Sequence, residues 1–349
     1  MDVSRRAFIA AVAAAAAGCR KAESGPVAAP ARAKYPDEYQ RDGGLIILPS
    51  KGTLYIATDF HGRRRDFEAW LSRTGVVEKI KAGEDVYGLL TGDLVDCKPE
   101  DTQAEPDGDS LIVQRVMGIQ RELGEKSNRF ILLMGNHEAE VQRIYGILKE
   151  KAGMTPRNQK AIVKALFSGE QGTYFDQFNF LERINDQQYA FLKDLPVAVL
   201  CKNGVVITHG GPTIEGGLDA IVKKEEKPLE MLFWGRPTEY YKLEQVDAFL
   251  QMMEDSTLLV TGHTPLPSLP APSVIRDGVG MHGEHQVIVA TSYGASSSAQ
   301  KCYLVLDLAR RYLSVNDLRV GKEILRLSAG PTTAPAGAER ELTRWFAFA

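Results

Sequence analysis

Cysteine and histidine are scarce in this chain of 349 residues, with four of the first and six of the second. After Cys19 only Cys97, Cys201 and Cys302 remain, an odd number at wide spacing. They cannot build a disulfide framework, and packing is the default role for each. Charge of one sign is missing too. With 42 basic against 45 acidic residues the formal charge is -3, so no global field favours nucleic acid or an anionic surface, and partners must be argued from a site. The apolar run from Ile9 to Ala17 is too short to span a bilayer, and no repeat at solenoid periods occurs. An apolar content of 44% suits a globular core and excludes disorder of the whole chain.

Residues 1–19 have to be set aside before any fold reasoning. Ser4-Arg5-Arg6-Ala7-Phe8 opens onto an Ala-rich apolar run. A twin arginine followed by Phe and weak hydrophobicity resembles a Tat signal, which exports folded proteins. Ala16-Ala17-Gly18-Cys19 resembles a lipobox, whose cysteine is acylated and becomes the first mature residue. An ordinary Sec signal with an incidental Cys19 is the alternative. The resemblance implies the Tat machinery as a partner and a periplasmic protein anchored to a membrane through Cys19. Export after folding suits a metalloprotein, because its ions are loaded before competing ions are met.

From residue 20 to 43 the composition turns to Ala, Pro, Glu, Lys and Gly without apolar periodicity, as in a flexible linker. A domain is expected over 44–328 and a tail over 329–349. Leu45–Leu48, Leu54–Ala57, Val86–Leu90 and Phe130–Leu133 read as strands, separated by helical spacing at Phe67, Trp70, Leu71, Val77 and Ile80 and again over Leu111–Leu123. Residues 140–195 read as a helical insertion, with apolar positions at Ile144, Leu148, Ile162, Leu166, Tyr189 and Leu192. Strands return at Val197–Leu200, Val205–Thr208, Leu258–Val260, Val287–Ala290 and Tyr303–Leu306. Alternating strands and helices predict an α/β fold with its site on loops at the carboxyl ends of strands.

Those loops hold the candidate chemistry: Asp59-Phe60-His61-Gly62, Gly92-Asp93-Leu94-Val95-Asp96, Gly135-Asn136-His137-Glu138, His209-Gly210-Gly211 and Gly262-His263-Thr264-Pro265. Each alone is a common turn, but five in this order assemble the donors that two neighbouring ions require. Asp59 and His61 are expected to share one face of a strand end through their two-residue offset. Asp93 is the natural bridging carboxylate, Asn136 offers an amide oxygen, and His209 and His263 offer imidazoles suited to Mn, Fe or Zn. His137 beside an acid such as Asp96 has a favoured protonated state and can donate to a leaving oxygen.

On these motifs the stretch from about Leu54 to Leu308 resembles the calcineurin-like metallophosphoesterase superfamily. Within it the phosphoprotein phosphatase branch, with its bacterial and diadenosine-tetraphosphatase-like relatives, is the nearest in pattern, since Pro265 stands where many members carry a second histidine. The resemblance implies a four-layer αββα sandwich with two mixed β-sheets flanked by helices. It places one metal ion on Asp59, His61 and Asp93 and a second on Asp93, Asn136, His209 and His263. It makes His137 the general acid, held by Asp96, and a metal-bridging hydroxide the nucleophile. The implied substrate is a phosphorylated protein or small phosphoester, with a dinucleoside polyphosphate or other phosphoanhydride as the alternative and a metal-loaded inactive scaffold as a third reading.

One departure concerns substrate grip. The family usually carries Arg after Gly-Asp-x-x-Asp, and here that place is Cys97, which cannot make a two-pronged contact with phosphate. Arg236 after Leu232-Phe233-Trp234-Gly235 lies where relatives carry a second phosphate-binding arginine. Arg63, with Arg64 and Arg65, either faces the cleft or starts a solvated helix, and Tyr293 either overhangs the site or belongs to the core. His282 and His285, in Met281-His282-Gly283-Glu284-His285, read as a solvated loop.

Overall fold

The structure, a computed structural model, describes residues 35–98, 101–152, 178–181 and 183–327. The signal, most of the linker, the insertion's Ile162 and Leu166, and the tail lie outside the described residues. The strands are β1 (Gln40–Asp42), β2 (Leu45–Leu48), β3 (Thr53–Ala57), β4 (Val86–Leu90), β5 (Phe130–Leu132), β6 (Ala198–Cys201), β7 (Val205–Thr208), β8 (Leu258–Thr261), β9 (Val274–Arg276), β10 (Val279–His282), β11 (Gln286–Ile288), β12 (Cys302–Asp307) and β13 (Ile324–Arg326). They form an eight-stranded sheet, β1-β2-β6-β7-β8-β11-β10-β9, and a five-stranded sheet, β13-β12-β3-β4-β5. Both are mixed.

Side-chain alternation along the strands sets the layering. Leu54, Ile56, Tyr87, Leu89, Leu304 and Leu306 of the smaller sheet meet Ile46, Leu48, Val199, Val205, Ile207, Leu258 and Val260 of the larger in one apolar cluster. The intervening residues face the other way. Ala57, Leu90, Leu132, Ala198, Leu200, Val206 and Leu259 join a second cluster with helical residues such as Phe67, Trp70, Ile80, Ile112, Val116 and Phe249. Strands apolar on both faces are therefore covered on both, and helix, sheet, sheet and helix follow one another.

The helices are α1 (Arg64–Thr74), α2 (Val76–Ala82), α3 (Gly108–Leu123), α4 (Asn136–Ala152), α5 (Phe178–Leu181), α6 (Asp186–Asp194), α7 (Gly217–Lys223), α8 (Glu226–Trp234) and α9 (Leu243–Met252). The α6 start is a reciprocal cap: the Gln188 amide donates to Asn185 Oδ1 at 2.9 Å, and the Asn185 amide to Gln188 Oε1 at 3.1 Å. Among the described residues no helix is long and apolar enough to cross a membrane.

Two expectations need correction. Residues 35–43, read as linker, contain β1, which pairs antiparallel with β2, and Tyr35 is buried with its hydroxyl donating to Asp42 at 2.7 Å. The Gln-Arg-Asp of β1 has no apolar pattern and is held by its neighbour's hydrogen bonds. His282 is not in a solvated loop: it ends β10, is 1% exposed, and its Nδ1 lies 2.8 Å from Ser273 Oγ. Val279 and Met281 carry that strand into the inter-sheet core. His285 sits beyond it and reaches Asp247 at 2.7 Å.

Candidate metal centre

Parallel strands from both sheets deliver the site. β3, β4 and β5 are parallel neighbours in one sheet, and β7, β8 and β11 in the other. Asp59 and His61 follow β3, Asp93 and Asp96 follow β4, Asn136 and His137 begin α4 after β5, His209 follows β7 and His263 follows β8. Asp59 and His61 are not a strand end. Their φ values are 54° and 43°, so left-handed turns past Ala57, not strand alternation, bring both side chains in. Asp93, Asp96 and His263 are also left-handed, at φ 54°, 73° and 63°. Gly92, at φ 107°, lets two loops touch: a Cβ there would stand 2.5 Å from the Gly135 amide and 3.1 Å from His209 Nδ1.

The donor atoms converge on one carboxylate oxygen. His61 Nε2 is 3.4 Å and His209 Nε2 3.3 Å from Asp93 Oδ2, and Asn136 Oδ1 is 2.9 Å from His209 Nε2. Asp59, His61 and Asp93 offer atoms all within 4.8 Å of one another, as do Asp93, His209 and His263. The rings are oriented from behind. His61 Nδ1 faces the Val95 carbonyl at 3.1 Å and His209 Nδ1 the Thr91 carbonyl at 2.9 Å, which puts the proton on Nδ1 and leaves each Nε2 lone pair for an ion. A nitrogen and oxygen set with an amide and a shared carboxylate fits a pair of borderline metal ions. His137 Nδ1 meets Asp96 Oδ2 at 2.9 Å while its Nε2 looks at Asp93 Oδ2 from 3.8 Å.

Burial and charge act in opposition here. Burial would raise the Asp93 carboxyl, but the His209 and His137 charges and the hydrogen bonds from His209 and His61 hold it well below the usual range. Burial pushes Asp59 up to about 6, with the Asp93 charge adding and His209 and His61 opposing. Burial resists charge on His209, yet Asp93, Asp59 and Glu138 raise it to about 9. His263 is driven well below normal by burial and by the charges of His209 and Arg236. At Asp96 burial is outweighed by the hydrogen bond and charge of His137 and the charge of Lys98, and the carboxyl is lowered.

The proposed substrate contacts divide. Arg236 Nε reaches His263 Nε2 at 3.2 Å, on the edge of the cluster. The Tyr293 ring meets His61 edge-on at 4.8 Å. The Arg63 guanidinium is committed elsewhere, donating to Asp101 at 2.6 Å and to the Ser292 carbonyl at 2.9 Å. It lies 5.3 Å from the Tyr293 ring, so it props Tyr293 and is not free for a substrate. The Cys97 thiol packs beside Gly62 and Asp109, and burial with the Asp109 charge pushes it up to about 12; it is not a reactive thiolate.

Sequence reasoning missed two neighbours. The buried Glu138 accepts amides from Asp93 and Leu94 at 2.8 Å, Gly135 at 3.0 Å and Val95 at 3.3 Å. Its place in the first turn of α4, two residues after Asn136, was the available signal. Lys98 is ion-paired with Asp96; searching one residue beyond the missing arginine would have found it.

A family model for the calcineurin-like phosphoesterases matches residues 52–293. The chain belongs to that family. It is a hydrolase acting on phosphoester bonds, and the loops that carry the candidate donors, from Asp59 to His263, fall inside the matched span. Among solved structures it is similar to a Saccharomyces cerevisiae protein serine/threonine phosphatase with similarity to human phosphatase PP5, at 17% identity over 70% of this chain and 68% of that one, TM-score 0.41. It is also similar to a cold-active protein-tyrosine phosphatase of Shewanella, at 18% identity over 78% and 79%, TM-score 0.45. A metallophosphoesterase from Sphaerobacter thermophilus shows 17% identity over 74% and 84%, TM-score 0.42. Likenesses this distant carry nothing about substrate. No curated protein matches the chain.

Proposed function

We propose that the chain hydrolyses phosphomonoesters in the manner of serine/threonine phosphatases, with His137 as general acid. The observation behind this reading is the His137–Asp96 pair at 2.9 Å, with the ring's other nitrogen turned toward the centre. Asp59, His61 and Asp93 would hold one metal ion and Asp93, Asn136, His209 and His263 the other, with Mn, Fe or Zn suited to this donor set. Bound there, the ions supply Lewis acidity and an activated water as nucleophile. Asp96 holds His137 Nδ1 at 2.9 Å and so orients the ring, leaving Nε2 to pass a proton to the departing ester oxygen. Arg236, at the His263 edge, would bind phosphate oxygens, and Tyr293 would close the His61 side.

With Mn the purified protein should turn over p-nitrophenyl phosphate, and His137→Asn should lower kcat by about a hundredfold or more for an alkyl phosphate such as phosphoserine. Turnover indifferent to metal, or undiminished in the variant, would sink this reading. A higher rate on diadenosine tetraphosphate than on a phosphopeptide would shift the substrate to the anhydride class.

Cellular placement is part of the same proposal: export through Tat on Arg5 and Arg6, then periplasmic anchoring through an acylated Cys19. Replacing both arginines with lysine should leave the precursor in the cytoplasm. Unimpaired export would refute Tat dependence.

A further inference from the structure

Lys98 has no role in the reaction described above. Its Nζ is paired with Asp96 Oδ2, the same oxygen that His137 Nδ1 reaches at 2.9 Å, and its side chain is 13% exposed. Asp96 is fully buried. Lys98 and His137 thus share one carboxylate oxygen on this flank of the centre. Cys97, the residue before it, adds no charge, since its thiol is turned to Gly62 and Asp109. Arg236 serves the other edge, against His263. With Cys97 neutral, the Lys98 ammonium supplies a positive charge on this flank, where it can meet an anion that arrives with several charged oxygens.

We propose that Lys98 contacts the substrate, its ammonium holding a non-bridging phosphate oxygen on the His137 side while Arg236 holds the His263 side. The inference rests on the phosphoesterase reading and names a residue that reading lacks. Asp96 takes one of three ammonium donors, so Lys98 can keep that ion pair and still reach the phosphate through its flexible stem. The ion pair aims the ammonium, and Asp96 thereby positions both the proton donor and the gripping cation.

The test is calorimetric titration of inorganic phosphate into the Mn-loaded full chain. Lys98→Met should weaken phosphate affinity about tenfold or more, the scale of one charge-assisted hydrogen bond, and raise KM for p-nitrophenyl phosphate more than it lowers kcat. Lys98→Arg should recover most of both. Lys98→Gln serves in the same assay should the methionine variant not fold. Phosphate affinity within twofold of wild type in a folded Met or Gln variant overturns the proposal, as does a loaded wild-type protein that binds no phosphate. Failure of the phosphoesterase reading looks different: phosphate binding that depends on Lys98, without turnover of any ester.

Discussion

Glu138 shows how much of a metal centre lies in residues that touch no metal. Its carboxylate collects four amides from the β4 and β5 loops and so fixes the distance between Asp93 and Asn136. Each buried amide left without a partner costs about 1 to 3 kcal/mol. Glu138→Ala should therefore lower the unfolding free energy in urea by about 3 kcal/mol or more and weaken Mn affinity about 10- to 100-fold. An unchanged urea midpoint would mean that water takes over the four amides. At this scale the donor residues were legible because their chemistry is rare here: four of six histidines, His61, His137, His209 and His263, are in the cluster. The residues that aim them were not. Glu138 and Lys98 are ordinary charged side chains in the sequence, and only the loops around them give them partners.

The parallel strands act as rulers, and Gly88 in β4 fits closely among its neighbours. A Cβ at this position would meet Phe130 Cδ2 of β5 at 2.9 Å and Val76 Cγ2 of α2 at 3.3 Å. Valine suits a strand by about 1 kcal/mol, but overpacking costs about 1 to 3 kcal/mol and should win, because ring and helix both press on the site. Gly88→Val should destabilise by about 2 kcal/mol in urea unfolding; an increase in stability would show that Phe130 swings aside. Strands such as Val86–Leu90 and Val205–Thr208 were legible from apolar runs that end at polar loops. Three kinds of element were not. β1 is polar and depends on β2, β10 ends in a histidine, and α7 to α9 cover the larger sheet from a stretch where loop-like and helical residues alternate.

For the whole molecule the candidate ion-binding cluster is also a titratable one. His209 is raised from 6.5 to about 9, so without metal its protonated form stabilises the fold fully below pH 6.5, and that stabilisation is lost as pH rises through 9. Asp59, raised to about 6, ends its titration at the lower edge of that window and lowers stability in the same direction. Thermal melting in chelator should accordingly show Tm falling from pH 6.5 to 9, by the equivalent of up to about 3 kcal/mol. With Mn present the slope should flatten, because the imidazole then holds an ion in either case; parallel slopes would show that metal does not reach His209. The alternation of strands and helices was legible in the residues, whereas the four layers were expected partly from the family resemblance. How the loops approach one another was not legible, because Asp and His favour left-handed backbone without specifying where it occurs. Of the eleven non-glycine residues with positive φ among the described residues, five are Asp59, His61, Asp93, Asp96 and His263, each held against a preference of about 1 kcal/mol. Glycine or asparagine at those positions would relieve that strain. A variant library sorted on heat resistance alone would thus drift toward robust proteins stripped of their chemistry, and breeding a hardier form requires selecting for turnover in every round.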